Sequence, residues 1–157
     1  MFFNNVSFEG GVSLLPPKPG FTISPNVSGK SFWSLVDDGP LTLSTAGTWT
    51  IVPNTDFNYN IKMWGAGAGT TASSGAGGAA VGTLLFGYNL TYLLVVGSVT
   101  GGGSGSGTGA PGAGYTGIFI NSQTQSNAQI IAGGGGGSST TAAGAGGGSL
   151  GQTGELS

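Results

Sequence analysis

Between residues 41 and 64 apolar and polar side chains alternate. In Leu41-Thr42-Leu43-Ser44 the apolar positions lie two apart, and the same period carries Trp49 and Ile51, then Phe57, Tyr59, Ile61 and Met63 beyond Pro53. A period of two sends successive side chains to opposite faces of an extended chain, so each run predicts a half-buried strand. Thr45-Ala46-Gly47-Thr48 and Pro53-Asn54-Thr55-Asp56 read as turns between them. Together they predict three consecutive antiparallel strands joined by hairpins. Shorter apolar runs follow at Thr83-Leu84-Leu85-Phe86, Thr91-Tyr92-Leu93-Leu94-Val95-Val96, Ile118-Phe119-Ile120 and Gln129-Ile130-Ile131-Ala132. Glycine and β-branched residues disfavour helix throughout. The pattern predicts an all-β chain, a small antiparallel sandwich of jelly-roll type, over residues 41–157. Its core candidates are Trp49, Ile51, Ile61, Met63, Trp64, Leu94, Val96, Ile118, Ile120 and Ile130.

Glycine-rich segments at 65–82, 101–117 and 133–154 interrupt the strands. The chain holds 35 glycines in 157 residues, roughly three times ordinary usage. Two physical readings compete. Gly/Ser-rich chain is the usual composition of a flexible linker. Alternatively, polyglycine forms three-per-turn extended helices whose bare backbones approach closely and hydrogen-bond to one another. Three features favour the ordered form. The fillers are mostly Ala, Ser and Thr; spacing of three appears at Gly75/Gly78, Gly109/Gly112 and Gly148/Gly151/Gly154; and neighbouring excursions can brace one another. At about 3.1 Å per residue, an excursion of eighteen residues folded back on itself projects roughly 28 Å.

Residues 1–40 differ in kind. They carry Pro16-Pro17, Pro19, Pro25 and Pro40, and the cluster around Leu14-Leu15-Pro16-Pro17-Lys18-Pro19 favours extended backbone. This stretch reads as an anchoring arm, with Phe2, Phe3, Phe8, Leu14, Leu15 and Phe21 as the side chains that need a partner surface. Asp37-Asp38-Gly39-Pro40 closes it as a turn.

Charge narrows the chemistry. Charged residues make up 5% of the chain, the net charge is −2, and cysteine and histidine are absent. No disulfide, Cys/His zinc site or histidine-based nucleophile can be assembled, and no cofactor or metal is expected. Three basic residues, all lysine, argue against nucleic acid as a partner. The longest apolar stretch, 90–99, is about half what a membrane-crossing helix needs, so no membrane span is expected. The opening Met1-Phe2-Phe3-Asn4-Asn5-Val6 lacks the basic and apolar regions of a secretory leader.

G-x-G-x-x-G occurs from Gly107, Gly112 and Gly146, but no helix-forming sequence or carboxylate follows at dinucleotide-site spacing. Gly29-Lys30-Ser31 lacks both the first glycine and the helix of a phosphate loop. Asp37 and Asp38 read as turn-capping groups rather than an acid/base pair. Sequons at Asn5, Asn26 and Asn89 are what chance gives an Asn- and Ser-rich chain. Trp33, Trp49 and Trp64 are either core residues or sugar-stacking platforms, and core packing is the better account of the two that lie on predicted strands.

The run Gly47-Thr48-Trp49-Thr50-Ile51-Val52-Pro53, followed by Ile61-Lys62-Met63-Trp64-Gly65-Ala66-Gly67, resembles the opening of the glycine-rich domain of bacteriophage tail fibres and other virion surface proteins. Leu94-Val95-Val96-Gly97 and Ile130-Ile131-Ala132-Gly133-Gly134-Gly135-Gly136-Gly137 occupy the places of that domain's later strand and its poly-Gly run. The resemblance spans residues 41–151 and implies a β-sandwich with polyglycine helices on virus particles, often trimeric, near the host-contacting end. Residues 1–40 match nothing in that pattern. The expectation is a non-enzymatic virion surface protein, a capsid decoration, head fibre or short tail-fibre component, bound to other virion proteins through the arm. Two alternatives stand beside it: a host receptor-binding adhesin for a surface glycan or protein, and a free ice-binding polyglycine protein.

Overall fold

The computed structural model describes residues 7–8, 12–13, 18–69, 74–102 and 111–137. Two-residue strands β1 (Ser7–Phe8) and β2 (Val12–Ser13) pair with each other. β3 (Gly20–Val27), β4 (Lys30–Ser34), β5 (Gly47–Pro53), β8 (Tyr92–Val96), β9 (Thr116–Ile120) and β10 (Ala128–Ala132) form one antiparallel sheet. Its order is β10-β9-β8-β5-β3-β4. β6 (Phe57–Trp64) and β7 (Ala79–Phe86) form a separate hairpin, in register from Phe57↔Phe86 to Trp64↔Ala79. Among the described residues nearly all regular structure is strand, as the period-two pattern predicts, with one 3-10 turn at Gln125–Asn127.

The hairpin turns one face to the sheet. Tyr59, Ile61 and Met63 from β6, with Ala80, Leu84 and Phe86 from β7, join the cluster of Phe21, Ile23, Trp33, Trp49, Ile51, Tyr92, Ile118 and Ala132. Aromatic rings bridge the layers, with centroids 6.0 Å apart for Phe21–Tyr59 and 4.3 Å for Phe86–Tyr92. Trp49, Ile51, Met63 and Ile118 are buried, and Ile61, Leu94, Val96, Ile120 and Ile130 pack against them half-buried.

Trp64 is the exception among the expected core residues, 66% exposed on the outer face. It follows buried Met63, and adjacent residues of a strand cannot share a face.

Three further expectations change. Leu41-Thr42-Leu43-Ser44 is not a strand; both edges of β5 are taken, by β3 and β8, so no edge remains for it to pair with. Leu41 and Leu43 pack against the core without strand hydrogen bonds. β5 and β6 do not form a hairpin, because Pro53-Asn54-Thr55-Asp56 crosses from the sheet to the other layer. Asn54 fixes that corner: its Oδ1 accepts from Gly20 N at 3.0 Å, its Nδ2 donates to Lys18 O at 2.9 Å, and its own N donates to Gly20 O at 3.0 Å.

Lastly, residues 20–34 are not arm. β3 pairs with β5 (Phe21↔Pro53, Ile23↔Ile51), and Phe21 is one of the most buried side chains, at 3%. The composition shift near residue 40 therefore marks no boundary of the fold.

Candidate functional site

All the described glycine-rich segments leave the same end of the strands. Residues 65–69 follow β6 and 74–78 precede β7; 97–102 follow β8 and 111–115 precede β9; 133–137 follow β10. The antiparallel registers Trp64↔Ala79 and Ala132↔Thr116 bring these ends side by side. The first excursion is shorter than expected, because Ala79–Gly82 belongs to β7.

Nine backbone hydrogen bonds run between these five segments among the described residues. Gly65 and Ala68 donate to Gly78 and Gly75 at 2.8 and 2.9 Å, and Gly78 and Gly75 donate in turn to Gly133 and Gly136 at 2.8 and 3.1 Å. Donors and acceptors alike recur every third residue, which is the turn of a polyproline-II-type helix. Gly135 completes the triangle by donating to Ala66 O at 2.9 Å. A second triangle shares that edge: Ala66 donates to Gly114 at 3.2 Å and Ala113 to Gly135 at 2.8 Å. Segment 97–102 joins outside it, through Gly114 N to Ser98 O at 2.8 Å and Gly102 N to Gly112 O at 2.9 Å. Segments 65–69 and 133–137 are thus the shared centre of the bundle.

Why glycine occupies these places follows from the spacing. A Cβ on Gly65 would fall into the Gly133 carbonyl, on Gly77 into that of Gly65, on Gly134 into that of Ala113, and on Gly135 into that of Gly75. Backbone this close admits no side chain, and here glycine φ stays negative except at Gly69, with φ +64°. Between the two readings of the glycine tracts, the described parts take the ordered one. Gly109, Gly148, Gly151 and Gly154 lie outside the described residues, as does any projecting tip.

Phe2, Phe3, Leu14 and Leu15, and the side chain of Phe8, also lie outside the described residues. Of the six expected anchors, the structure describes only the Phe21 side chain, and it is core.

Asp37 and Asp38 cap a turn, as expected. Ser34 N donates to Asp38 Oδ2 at 3.0 Å, Ser34 Oγ to Asp37 Oδ2 at 3.1 Å, and Asp38 N to Ser34 O at 2.8 Å. Lys18 pairs with Asp37 at 2.8 Å, and Lys30 pairs with Asp38. Hydrogen bonds from Lys18 and Ser34 hold Asp37 below the usual carboxylate range, and those from Lys30 and Ser34 do the same for Asp38. These groups line an open cleft of about 470 Å³ with Phe32 and Asn54. Since each carboxylate is already engaged by a lysine, the cleft offers neither a raised-pKa acid nor a free base. Among the described residues no three acidic groups converge as for a metal.

The tryptophans divide. Trp33 and Trp49 are buried, and Trp33 Nε1 donates to Gly39 O at 2.9 Å. Trp64 alone stands in solvent, at the seam where β6 enters the bundle. Phe86 and Tyr92, both 1% exposed, are also core residues, although each ends or starts a short apolar run that gives no alternation to mark its buried face. Tyr92 Oη accepts from Gly87 N at 2.8 Å, whereas the buried Tyr59 Oη has no partner among the described residues. Desolvation pushes the Tyr59 hydroxyl up to about 12. No family model, curated protein or solved structure matches the chain.

Proposed function

We propose that this chain is a non-enzymatic structural protein of a phage virion surface, a capsid decoration, head fibre or short tail-fibre piece. In this reading the two layers act as a minimal β-sandwich base and the glycine bundle is the root of an outward projection. The single observation that carries it is the hydrogen-bonded bundle, with segments repeating every third residue and all leaving one end. A neutral rod braced on a strand base suits mechanical display, and the uncharged tract 63–154 makes that surface insensitive to salt. The Trp64-Gly65-Ala66-Gly67 junction supports it by resemblance.

In this reading the anchor is residues 1–17, because Lys18 and Gly20 make their contacts within the described fold. It binds other virion proteins, and the display unit is a homotrimer. The test is a virus lacking residues 1–17 of this chain. The truncated protein keeps its fold by circular dichroism but is missing from purified particles. Normal incorporation of the truncated chain, or absence of the full chain from particles, overturns the proposal. A receptor-binding adhesin is the second reading, favoured by the exposed Trp64 beside the bundle.

A further inference from the structure

Outward residues of the hairpin β6–β7 form a surface that the packing of the fold leaves unexplained. On β6 they are Asn58, Asn60, Lys62 and Trp64, all exposed, and their cross-strand partners are Leu85, Thr83, Val81 and Ala79. Trp64, Val81 and Leu85 are exposed by 66, 71 and 58%. Trp64 and Val81 are diagonal neighbours across the two strands, with Leu85 further along β7; large apolar groups exposed side by side mark contact surfaces more often than scattered single residues do. Small Ala79 opposite Trp64 leaves the indole unshielded from the cross-strand side. In the middle, Thr83 Oγ1 donates to Asn60 Oδ1 at 2.9 Å, which fixes the amide and leaves its NH₂ for a ligand.

Charge selects the occupant. Of the three basic residues, Lys18 and Lys30 are paired with Asp37 and Asp38, while Lys62 has no ion pair among the described residues. From Met63 to Gly154 the sequence contains no charge at all. The nearest carboxylate along β6 is Asp56, six residues away or about 20 Å on an extended strand. Among the described residues Lys62 is therefore a lone cation on a neutral face. Residues two apart on one face of a strand stand about 7 Å from each other, so one pyranose ring laid on Trp64 brings a ring carboxylate to the Lys62 ammonium.

We infer that the outer face of the β6–β7 hairpin binds acidic glycans, a carboxylate-bearing pyranose stacking on Trp64 and pairing with Lys62, with Asn60 bonding to hydroxyls. The face thereby adds recognition to the surface display proposed above. It fails separately from that reading, because binding is measured on isolated protein and incorporation on particles.

The experiment titrates the full-length chain with a galacturonate oligomer and, in parallel, with its methyl ester, which keeps the ring and loses the charge. Trp64 fluorescence is the readout, since the other two indoles are buried. Binding of the acid at least tenfold tighter than the ester, weakening on added salt, is the expected result. Trp64→Ala should abolish the binding, Lys62→Met should reduce the acid to the level of the ester, and Lys62→Arg should restore most of it. Equal binding of acid and ester, or no binding of either, overturns the inference. So does a Lys62→Met chain that binds as the parent does. Sedimentation velocity supplies one further overturning result: self-association lost in Trp64→Ala would show that a second copy covers this face.

Discussion

Replacing Gly135 with alanine tests the bundle at its centre. The new Cβ would run into the Gly75 carbonyl and lie 2.9 Å from Ala68 N, both backbone atoms of neighbouring segments. Neither can swing aside as a side chain would, so segment 133–137 has to move. Overpacking of this kind costs about 1–3 kcal/mol. The move also strains the bonds Gly135 N to Ala66 O and Ala113 N to Gly135 O, each contributing about 1 kcal/mol net. Against this, alanine restricts the unfolded chain and returns about 0.4–1 kcal/mol. The balance is a loss of about 2–4 kcal/mol, a large part of the roughly 5–15 kcal/mol that holds a domain folded.

Gly67→Ala is the internal control. It lies in the same bundle, but among the described residues its Cβ would meet only Gly75 O, at 3.8 Å, an ordinary contact. That change should be neutral or stabilising by about 0.4–1 kcal/mol. For a chain of this size 1 kcal/mol moves the melting temperature by roughly 2–4 °C. Thermal unfolding followed by circular dichroism should therefore separate the two variants by about 4–20 °C. If the tracts were loose linker, both substitutions would be silent. A Gly135→Ala protein melting with or above Gly67→Ala refutes the packed bundle.

Lowering the pH should leave stability flat until the carboxylate range and then erode it. The folded-state pKa values of Asp37 and Asp38 lie below the ordinary 3.8; their contribution is present above that value and lost as pH falls through the folded values. A melting-temperature scan from neutral to acid pH checks the sign, and Asp38→Asn should make the acid limb shallower. Two Tyr→Phe changes should diverge. Tyr92→Phe strands Gly87 N and should cost about 1–3 kcal/mol. Tyr59→Phe removes a hydroxyl without a partner among the described residues and should be neutral or stabilising by up to about 1 kcal/mol. At high pH the raised Tyr59 value means that its share of stability is complete below 10 and lost as pH climbs toward 12. Tyr59→Phe should blunt that alkaline loss in the same melting experiments.

Strand placement was legible wherever a period of two ran on one residue set. Trp49 and Ile51, and Ile61 and Met63, face inward as their spacing requires. Pairing was not legible. Alternation marks which face of a strand is buried, but not which edge meets which neighbour, so β5 and β6 read as a hairpin when they lie in different layers. Proline misled at 1–40. Pro16, Pro17 and Pro19 discourage helix, yet the same extended preference suits Gly20–Val27 as a strand bonded to β5. Trp64 could have been excluded from the core by parity alone, since Met63 had already claimed that face. The triplet spacing of Gly75 and Gly78 was the one sequence signal of the bundle that lies within the described residues. The regular contacts of Gly133 to Gly136 were hidden in a run where every residue is glycine and no period shows.

The bundle also explains how the two layers stay together at one end. No strand of the hairpin pairs with a strand of the six-stranded sheet. On the core side, aromatic and aliphatic contacts join them, and such contacts are non-directional. At the strand ends the linkage is directional: Gly65, directly after β6, and Gly78, directly before β7, bond to each other, and Gly78 bonds on to Gly133 at the end of β10. Gly135 and Ala66, two residues beyond Gly133 and one beyond Gly65, make a further such bond. Polyglycine is what allows this, because a Cβ at Gly65 would meet the Gly133 carbonyl and hold the layers apart. The high entropic cost of ordering glycine is then offset by bonds that fix the layers in register. The base does not simply carry the bundle: each layer supplies some of its segments, and the bundle supplies the hydrogen bonds the layers do not make to each other.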